Sequence, residues 1–157
     1  MKLTLLLTGK TEGSWLKTGI ELYEERLSHY AVYVRIEIPE LKLVSNLTQQ
    51  QIKEKEGELI LKYVKPNDEL ILLDENGEQF SSVQLAAHLE KKSIYSAKSI
   101  IFVIGGAYGF SDAIYKRANE KISLSKMTFS HQMVRLIFLE QLYRVFTIIK
   151  GEPYHHK

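Results

Sequence analysis

The sequence predicts an α/β protein, a mainly parallel sheet with helices on both faces. Three observations lead there. Short apolar runs alternate along the chain with longer segments whose apolar residues recur at helical spacing. One of the runs, residues 99–104 (SIIFVI), is the most strand-like stretch in the chain and stops abruptly at Gly105-Gly106. No internal repeat, low-complexity run or Pro/Gly-rich linker interrupts the alternation, so the 157 residues read as one domain with a short polar tail at 151–157.

Residues 2–8 (KLTLLLT) form the first apolar strand. Residues 14–29 carry Trp15, Leu16, Ile20, Tyr23 and Leu27 at helical spacing. Residues 32–38 (VYVRIEI) alternate with period two up to Pro39 and read as a second strand, and 41–47 read as a loop. Thr48 is placed to cap a helix reaching about Val64, with Gln51 completing a capping box. Residues 70–73 are a short strand ending at the turn-like Asp74-Glu75-Asn76-Gly77. Ser81 or Ser82 caps a helix to about Ile94. A short helix follows Ser111-Asp112, Ile122-Ser123-Leu124 is a last strand, and a helix spans about 130–150.

Composition narrows the class. Hydrophobic residues are 45% and charged residues 25% of the chain, ordinary for a soluble domain. With no cysteine, disulfides and thiolate metal sites are excluded, which suits a cytoplasmic chain. The opening apolar run is too short for a secretory signal. No stretch approaches the roughly 20 apolar residues of a membrane span. Asn46-Leu47-Thr48 matches a glycosylation sequon and is read as chance. Charge is uneven: residues 1–110 hold 13 Lys and Arg against 15 Asp and Glu, whereas 111–157 hold 8 against 4. The basic end suits an anionic partner, or is simply a solvated surface.

In open parallel sheets, ligands bind beyond the carboxyl ends of the strands. Here that rule points after Leu73, Ile104 and Leu124. Gly105-Gly106-Ala107-Tyr108-Gly109 either lets the backbone approach a ligand or makes a tight turn. It lacks the Gly-Lys-Ser/Thr of a phosphate loop and the glycine spacing of a dinucleotide fingerprint. Leu124-Ser125-Lys126-Met127-Thr128-Phe129 can wrap a ligand with backbone groups while Met127 and Phe129 give apolar contact; both are equally suited to a core. His131 and Arg135 lie one turn apart on the last helix, and Glu140 and Arg144 lie one turn apart on roughly the opposite side. These are either surface pairs, or one face meets a ligand and the other a second subunit. The tail Pro153-Tyr154-His155-His156-Lys157 combines rings and cations that suit RNA, a composition equally common in disordered tails.

In this order and spacing, these segments closely resemble the ribosomal RNA large subunit methyltransferase H family, of the SPOUT class. The resemblance runs through Phe102-Val103-Ile104-Gly105-Gly106, residues 124–129, His131-Gln132-Met133-Val134-Arg135, Glu140-Gln141-Leu142-Tyr143-Arg144 and Pro153-Tyr154-His155. It extends to Met1-Lys2-Leu3, Trp15, Tyr23, Arg26 and Lys55-Glu56-Gly57. It implies a SPOUT α/β knot with a trefoil near residues 105–130. It implies a homodimer that binds S-adenosyl-L-methionine and needs no metal. The implied substrate is N3 of a pseudouridine in large-subunit rRNA within the 70S ribosome, with no role for DNA or membranes.

By motif, Leu73, Gly105, Leu124, Ser125, Lys126, Met127, Thr128 and Phe129 take the cofactor. His131, Arg135, Arg144, Tyr154 and His155 fall on the catalytic, substrate side. Ser130 stands where the family commonly has proline, and serine is a good helix cap. Two other readings use the same frame: a SPOUT enzyme acting on another RNA such as tRNA, and a non-catalytic ribosome-binding factor.

Overall fold

The computed structural model describes residues 1–95 and 98–156. Lys157, part of the RNA-suited tail read above, lies outside them. Five strands make one sheet: β1 (Lys2–Thr8), β2 (Val32–Ile38), β3 (Glu69–Gln79), β4 (Ser99–Ile104) and β5 (Glu120–Ser123). Their order is β2-β1-β4-β3-β5, and every neighbouring pair is parallel. The helices are α1 (Ser14–Leu27), α2 (Gln49–Leu61), α3 (Ser82–Tyr95), α4 (Asp112–Arg117) and α5 (Met133–Ile149).

Alternation along the strands builds both layers of core. Leu5 and Leu7 of β1 and Phe102 and Ile104 of β4 point to the face covered by α1, α3 and α5. Leu6, Ile101 and Val103 point to the opposite face, under α2 and α4. β4 is therefore buried on both faces, as a central parallel strand must be. Phe102 and Phe138 of α5 meet with ring centroids 4.9 Å apart, which fixes the long helix over the middle of the sheet.

The helix starts follow their capping chemistry. Thr48 Oγ1 accepts from the Gln51 backbone N–H at 3.1 Å, and the Gln51 side chain accepts from the Thr48 N–H at 2.9 Å. Ser81 and Gln84 repeat that exchange at 3.1 and 2.8 Å. The serine at 130 also caps: its Oγ accepts from the Met133 N–H at 3.0 Å, a turn before the regular helix begins.

Besides small shifts, α2 stopping at Leu61 and β5 spanning Glu120–Ser123, the structure departs from the expected elements in three places. Trp15, expected on the buried stripe of α1, is 61% exposed, and Leu16, Ile20 and Leu27 carry the packing. α5 begins at Met133 rather than near 130 because residues 130–132 form the capping turn. The largest change is in β3, which continues through the expected turn to Gln79. Its pairing with β5 places Leu73 opposite Ile122, then Glu78 opposite the same Ile122, so residues 74–77 are looped out as a four-residue bulge. Turn chemistry survives inside it: the Asn76 N–H donates to Asp74 Oδ1 at 2.8 Å.

Gly77 closes this bulge against β5. A Cβ there would lie 2.6 Å from the Lys121 carbonyl carbon and 2.7 Å from Ile122 backbone atoms. Gly77→Ala is therefore expected to cost about 1–3 kcal/mol, because neither strand can retreat without losing its ladder. Urea unfolding checks this; an unchanged midpoint would mean that the bulge is slack.

Candidate functional site

β3, β4 and β5 all end at one edge of the sheet, and a cleft of about 490 Å³ opens there. That is within the range of small-ligand sites. Leu73, Gly105, Leu124, Ser125, Met127, Thr128 and Phe129 all line it. Lys126 does not; its side chain is exposed to solvent. The 124–129 segment is shaped by its own serines. Ser123 Oγ donates to the Ser125 carbonyl at 3.0 Å, and the Met127 N–H donates to Ser125 Oγ at 2.9 Å.

Gly105 works indirectly. A Cβ on it would meet the Phe110 ring at 2.9 Å, so a larger residue displaces Phe110, itself part of the cleft wall, rather than filling open space. Gly106 is held close from behind: its Cβ would lie 2.6 Å from Glu56 Oε2. Burial, and then Glu40, push the Glu56 carboxyl above its ordinary range. This gives the Lys55-Glu56-Gly57 segment a place under the glycine turn.

Part of the wall comes from residues that carry no recognisable motif. Asp74, Glu75 and Asn76 of the bulge and Tyr115 of α4 line the cleft. For the first three the signal was present in the strand-end rule, which pointed after Leu73, but residues 74–77 were read only as a turn; nothing in the sequence pointed to Tyr115. The Tyr115 hydroxyl donates to Asp74 Oδ2.

The five residues expected on the substrate side separate into three groups. His131 alone lines the cleft. Arg135 does not share a polar face with it: the side chain is 1% exposed and turns into the sheet edge. Its Nη2 donates to the Thr8 carbonyl and its Nη1 to Thr11 Oγ1, both at 3.0 Å, while Nε donates to the His131 carbonyl at 3.1 Å. Glu37 Oε2 lies 3.5 Å from Nη1. Gln132 completes the clasp, accepting from the Glu12 N–H at 2.9 Å and donating to the Lys10 carbonyl at 2.8 Å. Arg135 thus fastens the β1–α1 loop to the start of α5 and holds the backbone that carries His131.

Arg144, Tyr154 and His155 gather on the outer side of α5 and do not line the cleft. Arg144 Nη2 donates to Glu140 Oε1 at 2.6 Å, the Tyr154 hydroxyl donates to the same oxygen at 2.9 Å, and Arg144 Nη1 meets His155 Nδ1 at 3.2 Å. The guanidinium stacks 4.8 Å from the Tyr154 ring centre, and that ring packs edge-on to Tyr143 at 4.7 Å. Burial, then hydrogen bonds with Tyr23 and Glu140, hold the Tyr154 hydroxyl well above the ordinary phenol range, so it stays a donor. The tail is pinned to α5 by these contacts.

A glycine-ended strand and a backbone-rich loop meeting at the carboxyl edge of a parallel sheet define a class. Over residues 1–155 the sequence matches the family model described as "Predicted SPOUT methyltransferase", which places the chain in that class. It is 55% identical to the ribosomal RNA large subunit methyltransferase H of Parabacteroides distasonis over 100% of both chains. It is 56% identical to the protein of that name from Flavobacterium psychrophilum, also over 100% of both. The SpoU methyltransferase AviRb of Streptomyces viridochromogenes, solved with AdoMet, is 10% identical with a TM-score of 0.47, covering 95% of this chain and 58% of that one. The chain belongs to the ribosomal RNA large subunit methyltransferase H family.

Two predictions concern the clasp. Arg135→Ala removes a buried cation and strands its acceptors, so it is expected to lower stability by about 3 kcal/mol in urea unfolding. A loss below about 1 kcal/mol would show that water replaces the guanidinium. Burial raises the Glu37 pKa, but hydrogen bonds from Thr11 and the nearby Arg35 and Arg135 outweigh it and hold the carboxyl below its ordinary value. A depressed carboxylate contributes stability above that value and loses it as pH falls through the folded-state pKa. Glu37→Gln should therefore reduce the drop in stability between about pH 6 and pH 3. An unaltered drop assigns acid sensitivity elsewhere.

Proposed function

We propose that this protein transfers the methyl group of S-adenosylmethionine to ring N3 of a pseudouridine in large-subunit ribosomal RNA, on the assembled 70S ribosome. The observation that carries this reading is the meeting of the glycine-ended β4 and the 124–129 segment in one cleft. The cleft's chemistry fits the cofactor. Leu73, Leu124, Met127 and Phe129 offer apolar surface to a flat ring, while Asp74 and Glu75 suit a cationic sulfonium and ammonium. Among the described residues, no Lys or Arg lines it.

When bound, S-adenosylmethionine supplies an electrophilic methyl carbon and leaves as a neutral thioether. The chain's part is to hold donor and ring in line and to accept the N3 proton. His131 is the imidazole on the cleft wall, on a backbone fixed by Arg135, and takes that proton when its ring is neutral. His155 is a poorer acceptor. Arg144 donates to its Nδ1, so in the neutral ring Nε2 carries the hydrogen and is a donor. Arg144 and His155 then suit phosphate or the developing ring anion.

The tail cluster stands apart from the cleft of its own chain, which favours a homodimer whose sites combine one subunit's cleft with the partner's tail. The chain acts as one SPOUT domain, its backbone near 105–130 threaded as a trefoil knot, and works in the cytoplasm. Its basic carboxy-terminal third, eight Lys and Arg against four Asp and Glu, meets the RNA.

Tritiated methyl transfer to 70S ribosomes, free subunits and tRNA in parallel tests the substrate. Label on 70S particles alone is expected, and label on tRNA would overturn the assignment. Mixing Gly105→Val with Tyr154→Ala subunits tests the shared site. Each variant alone should be nearly inactive, and randomly mixed dimers should regain about one quarter of wild-type activity, because half are heterodimers with one intact site each. If the mixture stays dead, each subunit works alone.

A further inference from the structure

The bulge of β3 brings a carboxylate to the cleft and fixes it there. Both Asp74 oxygens accept: Oδ1 from the Asn76 N–H at 2.8 Å, and Oδ2 from the Tyr115 hydroxyl. Two donors hold the carboxylate in one orientation. Burial, then Asp74 itself, push the Tyr115 hydroxyl above the ordinary phenol range, so it remains a donor. The ring of Tyr115 is braced by Lys121, whose Nζ lies 5.5 Å from its centre and which does not itself line the cleft. The backbone beneath is held by Gly77 against β5. The other titratable groups on the wall are Glu75, Tyr108 and His131; Glu75 is exposed and therefore better screened than the half-buried Asp74.

We propose that Asp74 is a charge-reading residue of the cleft. Its anchored carboxylate favours the cationic sulfonium donor over the neutral thioether that remains after transfer, and so drives exchange of spent cofactor for fresh. This rests on the methyl-transfer reading. The two ligands share their adenosine, ammonium and carboxylate groups and differ by one methyl and one positive charge. Interactions with the shared groups cancel in the ratio of affinities, leaving the term at sulfur. A fixed charge of opposite sign a few ångströms away, partly shielded from water, is enough to change that ratio severalfold. An exposed, freely rotating carboxylate would be too well screened to do so. The bulge and Tyr115 supply that rigidity. Where product release limits turnover, weaker holding of the spent form raises the rate.

Calorimetry on the full chain with S-adenosylmethionine and S-adenosylhomocysteine separates the possibilities. Asp74→Asn is expected to weaken binding of the sulfonium ligand by about tenfold and of the thioether by less than about twofold. Tyr115→Phe, which frees the carboxylate without discharging it, should move the ratio in the same direction by less. On the unmodified protein, raising salt from about 50 mM to about 500 mM should shrink the preference for the sulfonium. Equal weakening of both ligands, or no change in either, would overturn the inference. Should Asp74→Asn not fold, a wild-type preference indifferent to salt overturns it as well. Failure of the wild type to bind either ligand would instead refute the methyl-transfer reading, and the role of Asp74 with it.

Discussion

The structure depends on β4, a central parallel strand buried on both faces between β1 and β3. Its side chains are committed in two directions, to Phe138 and its neighbours on one side and to the α2–α4 layer on the other. Such a strand can present nothing to solvent along its length, only at its end. With β3 and β5 running the same way, three chain exits crowd one edge, and the backbone there must leave sharply. Glycines at 105 and 106 make that exit possible, with Phe110 packed against one and Glu56 against the other. The cleft is the space that these exits enclose.

Two polar assemblies hang from that frame and have different physical characters. The Arg135 clasp is buried, with each guanidinium nitrogen hydrogen-bonded, and it joins the β1–α1 loop to α5. The Arg144–Tyr154–His155 cluster is half-exposed, held by one shared carboxylate at Glu140, and keeps an imidazole edge and a guanidinium near solvent. A buried cation of this kind is costly to disturb and contributes shape. A half-exposed one is free to meet phosphate. On a helix wheel the two arginines look alike, and their partners from distant parts of the chain give them different work.

Much of the architecture was legible because it is written in local patterns. The strand at 99–104, the capping box at Thr48 and Gln51, and the helical stripe of α1 each need only a few adjacent residues. Seven of the eight residues assigned to the cofactor line the cleft; they were reached through a family resemblance whose motifs lie at strand ends. What was illegible is tertiary. Asp74, Glu75, Asn76 and Gly77 have the composition of a turn, and only pairing with β5, forty-odd residues later in sequence, makes them a bulge inside a continuing strand. Arg135 could not be told from a ligand-facing arginine without Thr8, Thr11 and Glu37. Trp15 fits the apolar stripe by spacing, yet the buried stripe of the helix runs through Leu16, Ile20 and Leu27 and leaves Trp15 outside it.

Methyl transfer by this chain requires one cleft, formed where the glycine turn after β4 meets the 124–129 segment, to hold the adenosyl cofactor. Titrating an isotope-labelled sample with S-adenosylhomocysteine and following backbone amide resonances tests it directly. Shifts are expected to concentrate at Leu73 to Asn76, Gly105 to Phe110 and Leu124 to Phe129, with the Arg144–Tyr154 cluster moving little within the same chain. Shifts centred elsewhere on the surface, with those three stretches silent, would contradict it.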